Sequence, residues 1–335
     1  MTDAATRQRE IAAITELQLD MMRRTKAGQR GQHPKMTGFV WGTFEVLADI
    51  TAQYRVGLFA QPGQYTAYIR FSNGAAADDD KRDVHGMAIK VTGVPGRKVL
   101  DDESDASTQD FILADNPIFF IRNRGEFGRF MADFEVASRR GRPPLRFLAW
   151  LALHRPRDLR GLLTFRRPAL HSPLVTQYWS QVPYAFGLGG ATICRYAAVP
   201  RPNPAWHGGG HGADRHRDNM VAQLATARQA AHFDFTVQLH ADATEAVIDN
   251  PTVRWNTREQ TVATISIPPQ DFRVPAQERF GDALSFTPWH ALPEHRPMGQ
   301  INEIRRAVYR ASSEFRHGQG QVRRAEPRGD EHRSF

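Results

Sequence analysis

The sequence predicts an α+β protein built on an antiparallel sheet or barrel, with one helical insertion and a helix close to the C-terminus. Two observations predict the sheet. Short apolar, β-branched and aromatic runs follow one another at 37–60, 65–72, 85–94, 110–122, 190–200, 232–240 and 262–268. Helical periodicity is confined to 6–26, 125–138, 145–165 and the stretch around Arg305–Tyr309. A third observation excludes an alternative: regular β–α–β alternation is missing, which argues against a nucleotide-binding core.

In chain order, Ile11, Ile14, Leu17 and Met21 recur at helical spacing and give an amphipathic first helix. Gly28 to Pro34 is a turn that no helix continues through. Phe39, Trp41, Phe44 and Val46 then alternate as in a strand, and two further strands flank the acidic, alanine-rich loop 74–81. Pro117 interrupts the run 110–122, as expected at a strand end. A helical insertion is expected over 125–185. The segment 201–219 is a Pro/Gly/His-rich loop. Beyond His317 the chain is rich in Gly, Arg and Glu, so one domain is expected over 1–317 and a disordered basic tail over 318–335.

Composition sets bounds on function. The 335 residues are 41% apolar and 24% charged, ordinary for a soluble globular protein, and can bury one large core or two smaller ones. The formal net charge of +8 is carried mainly by arginine, much of it between Arg139 and Arg167 and in the last twenty residues. Such a balance suits nucleic acid, an acidic membrane surface or anionic groups bound inside. No zinc-finger spacing, phosphate loop or RNA-binding aromatic signature accompanies it, so no nucleic-acid partner is expected. Cys194 is the single cysteine, which excludes a disulfide framework and a thiolate metal cage and leaves it a packing role. The N-terminus lacks the apolar core of a signal peptide, and the longest apolar run, Phe147 to Leu153, is far shorter than the ~20 residues that span a bilayer. A cytoplasmic location is expected.

Candidate chemistry begins with Arg305 and Tyr309, four residues apart and on one face of a helix. A guanidinium beside a phenol favours the phenolate, which is the form able to ligate a metal. His33 follows Arg30 in the early turn, and Tyr68-Ile69-Arg70-Phe71-Ser72 precedes Arg82-Asp83-Val84-His85-Gly86-Met87-Ala88-Ile89-Lys90. Further on come Asn116-Pro117-Ile118-Phe119-Phe120-Ile121-Arg122 and Phe127. His207, His211 and His216 invite a metal reading, but histidines among glycines in a long loop are usually solvated, and no G-x-S-x-G elbow completes an esterase. Residues 145–165 form a basic amphipathic pattern that suits a helical lid, a subunit contact or a lipid surface.

Taken in order, R-x-x-H, R-F-S, R-D-x-x-G-x-A-x-K, P-I-F-F-I-R and R-x-x-x-Y, spread over about 27 to 317, resemble the haem catalase family, and the short chain resembles its compact members. The resemblance implies a catalase-type β-barrel with inserted and C-terminal helices, and haem b as cofactor without NADPH. It implies Tyr309 as the iron ligand with Arg305 as its charge partner, and Arg30, Arg70 and Arg316 as partners of the haem propionates. His33 takes the place of the distal base, Ser72 that of the hydroxyl fixing its tautomer. Phe119 and Phe127 match aromatics along the distal face, and Asp83 and Gln32 lie at positions along the peroxide channel. The family's distal asparagine falls at Ala114, so either Asn116 takes over its role or the donor is missing. The implied activity is peroxide consumption through a ferryl species, as a peroxidase or weak catalase in the oxidative stress response, with a peroxide and a small organic electron donor as partners. A lipid hydroperoxide isomerase or lyase and a non-catalytic haem sensor are the alternatives. Homo-oligomerisation is expected through the arginine-rich insertion.

Overall fold

A computed structural model describes residues 4–139, 145–165, 171–202, 209–320 and 322–335. Nine strands form one antiparallel sheet: β1 (Met36–Val46), β2 (Gly63–Asn73), β3 (His85–Thr92), β4 (Thr108–Ala114), β5 (Tyr178–Trp179), β6 (Tyr184–Ala185), β7 (Ile193–Pro200), β8 (Ala231–His240) and β9 (Glu259–Ile267). The order β5-β4-β3-β2-β1-β9-β8-β7 is closed by pairing of Tyr178 with Ala198 and Trp179 with Ala197, and β6 is an outlying strand on β7. The result is a closed eight-stranded barrel, the second of the two antiparallel arrangements that the sequence allowed and the one that the resemblance implied. Closure removes both sheet edges.

Aromatic side chains fill the barrel interior. Phe44, Phe111 and Phe235 meet with ring centroids 4.7–6.0 Å apart, and Tyr196 and Phe59 extend the cluster. The lumen is therefore packed solid, and a cofactor must sit elsewhere. Alternation decides where. On β2 and β3, Ile69, Phe71, Met87 and Ile89 point into this core, so Arg70, Ser72, Gly86 and Ala88 share the outer face. A second small core, Phe39, Tyr68 and Leu284, lies on that outer face.

The helices wrap the wall. Among the described residues they are α1 (Ala4–Arg23), α2 (Arg124–Arg139), α3 (Leu145–His154), α4 (Pro156–Phe165), α5 (Arg215–Val221), α6 (Glu245–Ile248), α7 (Pro275–Ala283) and α8 (Gln300–Gly318). α1 packs against α2 and α8, burying Ile14 and Met22. Pro156, which has no N–H to donate, opens α4 and separates it from α3.

Three expectations change. The first strand ends at Val46, and the run to residue 60 is built from 3-10 turns, with Gly57 at φ 52° where a strand cannot continue. The insertion is helical only to Phe165; its remainder supplies β5 and β6, too short to show periodicity. The disordered tail is the clearest correction. The Tyr68 hydroxyl donates to Glu331 Oε2 at 2.7 Å, His332 stacks on Trp41 at 4.3 Å, Phe335 meets Phe280, and Ala325 bridges to Leu284. A few anchors at wide spacing hold this segment, which average composition cannot reveal. No helix among the described residues is long and apolar enough to cross a membrane.

Candidate active site

The distal side is assembled on three adjacent strands. Cross-strand register pairs Ser72 with Gly86 and Gly86 with Ala114, so these three residues form one row on the outer face of the wall. The His33 ring lies over that row. Its Nδ1 is 3.1 Å from Ser72 Oγ, and a Cβ built on Gly86 would stand only 2.8 Å from Nδ1 and 2.9 Å from Cε1. Gly86 is thus the residue that permits the ring to lie against the strand.

The backbone around His33 is strained and held from several directions. His33 has φ 51°, unusual for a residue with a side chain, which persists only when its surroundings enforce it. Its N–H donates to Gly74 O at 3.0 Å, and its carbonyl accepts from Arg70 Nη2 at 2.8 Å. Asp83 secures the loop behind it: Oδ2 accepts from the N–H groups of Ala75 and Ala76 at 2.8 and 2.7 Å. Burial first, then the charge of Arg70, lowers the His33 pKa to about 4, with Asp83 opposing. The imidazole is therefore neutral near pH 7 and competent as a base.

Three guanidiniums gather beside it. Arg30 Nη2 donates to Leu284 O at 2.8 Å, and Arg316 Nη2 donates to the same oxygen at 3.1 Å. Burial lowers the pKa of Arg30 to about 9, with Arg70 adding to it, and that of Arg316 to about 9, with Arg30 adding to it. Burial also lowers Arg70 to about 10; Asp282 partly offsets this and Arg316 adds to it. Arg70 Nε is buried without a hydrogen-bond partner. Converging cations that depress one another, with a buried N–H left over, form a socket for carboxylate groups.

On α8, Arg305 Nη2 donates to the Tyr309 hydroxyl at 3.3 Å, and the guanidinium carbon lies 5.3 Å from the Tyr309 ring centroid. Burial alone would lower the Arg305 pKa, but the phenols of Tyr309 and Tyr184 raise it overall, so its charge is held. Arg305 is itself positioned: Nη1 donates to Asn302 Oδ1 at 3.2 Å, and Asn302 Nδ2 donates to Pro183 O at 2.9 Å. Asn302 and Tyr184 escaped the sequence reading. Asn302 is fully buried one turn before Arg305, a spacing that offered a signal; Tyr184 comes from a two-residue strand that offered none.

Phe119 and Phe127 stack with centroids 6.2 Å apart at 21°, and Phe119 continues to Phe120 at 5.0 Å. These Phe-rich segments supply flat apolar surface suited to a macrocycle face. Haem therefore fits the residues present: a cationic socket, a phenol with a cationic partner, and aromatic walls. Arg70 links the two halves, holding the His33 carbonyl while its charge is felt by Arg316 on α8.

Ala114, not Asn116, occupies the row beneath His33. Asn116 lies past the end of β4, where its Oδ1 accepts from Ile118 N at 3.1 Å and its carbonyl accepts from Gln181 Nε2 at 3.1 Å. Gln32 is exposed and donates to Gln18 Oε1 on α1 at 3.2 Å.

A buried histidine network behind the row was not foreseen. His85 Nδ1 is 2.8 Å from Asp115 Oδ2, and its ring meets that of His216 edge to face at 4.9 Å. His216 sits on α5, its Nδ1 3.3 Å from Asn73 Oδ1 and 3.5 Å from Asp79 Oδ2. The loop histidines therefore part company: His216 is core, His211 is exposed, and His207 lies outside the described residues. Cys194 is buried with its thiol pKa pushed up by burial, an inert packing residue.

Residues 12–147 match a protein-family model described as Catalase. Solved structures agree with the fold: catalase A from Saccharomyces cerevisiae (TM-score 0.66, 15% identity), a bacterial catalase (0.63, 14%) and a fungal catalase (0.62, 14%). These alignments take in 91%, 89% and 91% of this chain and 64%, 59% and 62% of the respective catalases. The chain thus spans less than two thirds of their length.

Proposed function

We propose, from the geometry of the site together with the catalase model matched over residues 12–147, that this chain is a catalase-like, haem-dependent oxidoreductase reducing hydrogen peroxide or organic hydroperoxides, with peroxidase turnover outweighing dismutation. The single observation carrying the proposal is the strained, neutral His33 held against Ser72 and joined through Arg70 to the arginine socket. A protein that merely stores haem has no use for a strained base.

Tyr309 would hold the iron through its phenolate oxygen, with Arg305 stabilising the negative charge. Arg30, Arg70 and Arg316 would receive the propionates. Haem b, when bound, supplies the iron that takes up the oxidising equivalents of the peroxide. The remaining work falls to the chain's own residues. Ser72 occupies His33 Nδ1, which leaves Nε2 to take the proton from one peroxide oxygen and return it to the departing oxygen. The O–O bond breaks and the departing oxygen leaves as water or as an alcohol; the other oxygen leaves as water once a small organic donor has supplied two electrons and two protons.

Position 114 supports the peroxidase balance. The row beneath His33 presents a methyl group there, and Asn116 stands past the end of β4, outside that row. A missing preorganised donor costs about 10²–10³ in rate. An exposed Gln32 beside His33 adds polarity that suits donors other than a second peroxide.

The test is a peroxide panel on haem-loaded protein, following oxygen release and donor oxidation with hydrogen peroxide, a small alkyl hydroperoxide and a fatty-acid hydroperoxide. Donor oxidation is expected to dominate, and His33→Ala to lose it while keeping haem. Oxygen release at the rate of dedicated catalases would remove the peroxidase assignment, and an unaffected His33→Ala would reduce the protein to a haem binder.

A further inference from the structure

Between residues 139 and 167 the sequence holds nine arginines and a single carboxylate, Asp158; this balance of +8 equals the formal net charge of the whole chain. α3 and α4 lie within that stretch. α3 faces inward through Phe147 and Leu151, both about 1% exposed, and Phe147 packs on Phe130 of α2 at 5.2 Å. Arg155 is turned in to pair with Glu126. The outward face is different. Leu145, Leu153 and Leu163 are 61%, 79% and 63% exposed, and the exposed Arg146, Arg157 and Arg160 stand among them.

We propose that this outward face of α3 and α4 is a docking surface for an anionic lipid bilayer. Leucines presented to solvent beside arginines are the composition of a helix lying in the headgroup plane, with leucines below and guanidiniums level with the phosphates. A second copy of the same face is the poorer occupant, because it would set arginine against arginine. A nucleic acid would use the arginines and leave the three leucines in water. The surface also connects to the site: Phe147, Phe130, Phe120 and Phe119 form a continuous aromatic chain, each centroid 5.0–5.2 Å from the next.

The experiment is co-sedimentation of the full-length, haem-loaded protein with vesicles. Binding is expected to equimolar phosphatidylserine and phosphatidylcholine and not to phosphatidylcholine alone. Arg157→Glu with Arg160→Glu, and separately Leu153→Ser with Leu163→Ser, are each expected to weaken partitioning by about tenfold or more. Peroxide consumption in vesicle-free buffer stays unchanged in both, since neither pair lies in the site. Failure to bind the anionic vesicles, or equal binding to phosphatidylcholine, would overturn the proposal. So would a leucine variant that binds as well as wild type, particularly if duplex DNA competes, because that is adsorption of a polycation. Dissociation of an oligomer by the leucine variant, without vesicle binding, would reassign the face to contact between copies.

Discussion

Replacing Gly86 by alanine tests the distal geometry with a single methyl group. The added carbon would stand 2.8 Å from His33 Nδ1, 2.9 Å from Cε1 and 3.0 Å from Ser72 Oγ. Ordinary contact between such atoms is ~3.5–4.0 Å, so the ring must retreat by roughly 0.7 Å or more. The 3.1 Å Nδ1 to Ser72 bond cannot survive a retreat along that line, since at ~3.6 Å it is no longer a hydrogen bond. Two effects combine: the base moves, and nothing fixes its tautomer. A misplacement approaching 1 Å costs about 10²-fold in rate, so kcat for peroxide consumption should fall roughly 30- to 100-fold. The fold should survive, because overpacking at one site costs about 1–3 kcal/mol and the His33 loop can give way. Initial rates are measured on protein of equal haem content, with the haem absorbance spectrum showing that the proximal side is unchanged. A variant that keeps its haem and stays within about threefold of the wild-type rate would refute the placement of His33 over the Ser72–Gly86–Ala114 row.

Four further outcomes are expected. Ala114→Asn restores an amide donor in the row beneath His33 and should raise oxygen release from hydrogen peroxide by up to about 10²-fold, read with an oxygen electrode; no gain would show that the donor is not what limits dismutation. Tyr309→Phe removes the phenol that Arg305 addresses and should lower haem affinity at least ~10-fold in a titration followed by absorbance, whereas unchanged binding would assign the iron another ligand. The His33 pKa, lowered to about 4 by burial and then by Arg70, predicts activity that is flat from neutral pH to about 5 with an acid limb near 4, and a limb near 6.5 would contradict it. Stability should follow the same sign. His33, His216 and His295 are lowered to about 4, 4 and 3, so the unfolded chain takes up protons first; stability is complete above pH 6.5 and is lost as pH falls from there toward 4, measurable as a falling Tm.

Much of the site was legible because its chemistry is local. Arg305 and Tyr309 are one helical turn apart, and Arg70 and Ser72 lie two residues apart on one strand, so spacing alone puts each pair on a common face. His85 was less legible. It lies in the R-D-x-x-G segment, yet its partners Asp115 and His216 come from a strand end and a distant short helix. Asn116 shows the limit of counting. Two residues from position 114 along the chain, it lies outside the row once β4 ends, and its side chain turns back onto Ile118 N.

The sequence by itself determined the α+β class, the longer strands and the identity of the chemical groups, because alternation, helical period and side-chain chemistry are properties of neighbouring residues. Only the tertiary structure decided which face of the wall carries them. Aromatic packing of the lumen by Phe44, Phe111 and Phe235 forces Arg70, Ser72 and Gly86 outward. It likewise fixed the last residues, where Glu331, His332 and Phe335 close over Tyr68, Trp41 and Phe280 through contacts far apart in the chain. Those contacts depend on where the barrel wall ends up, and no composition of the tail itself encodes that.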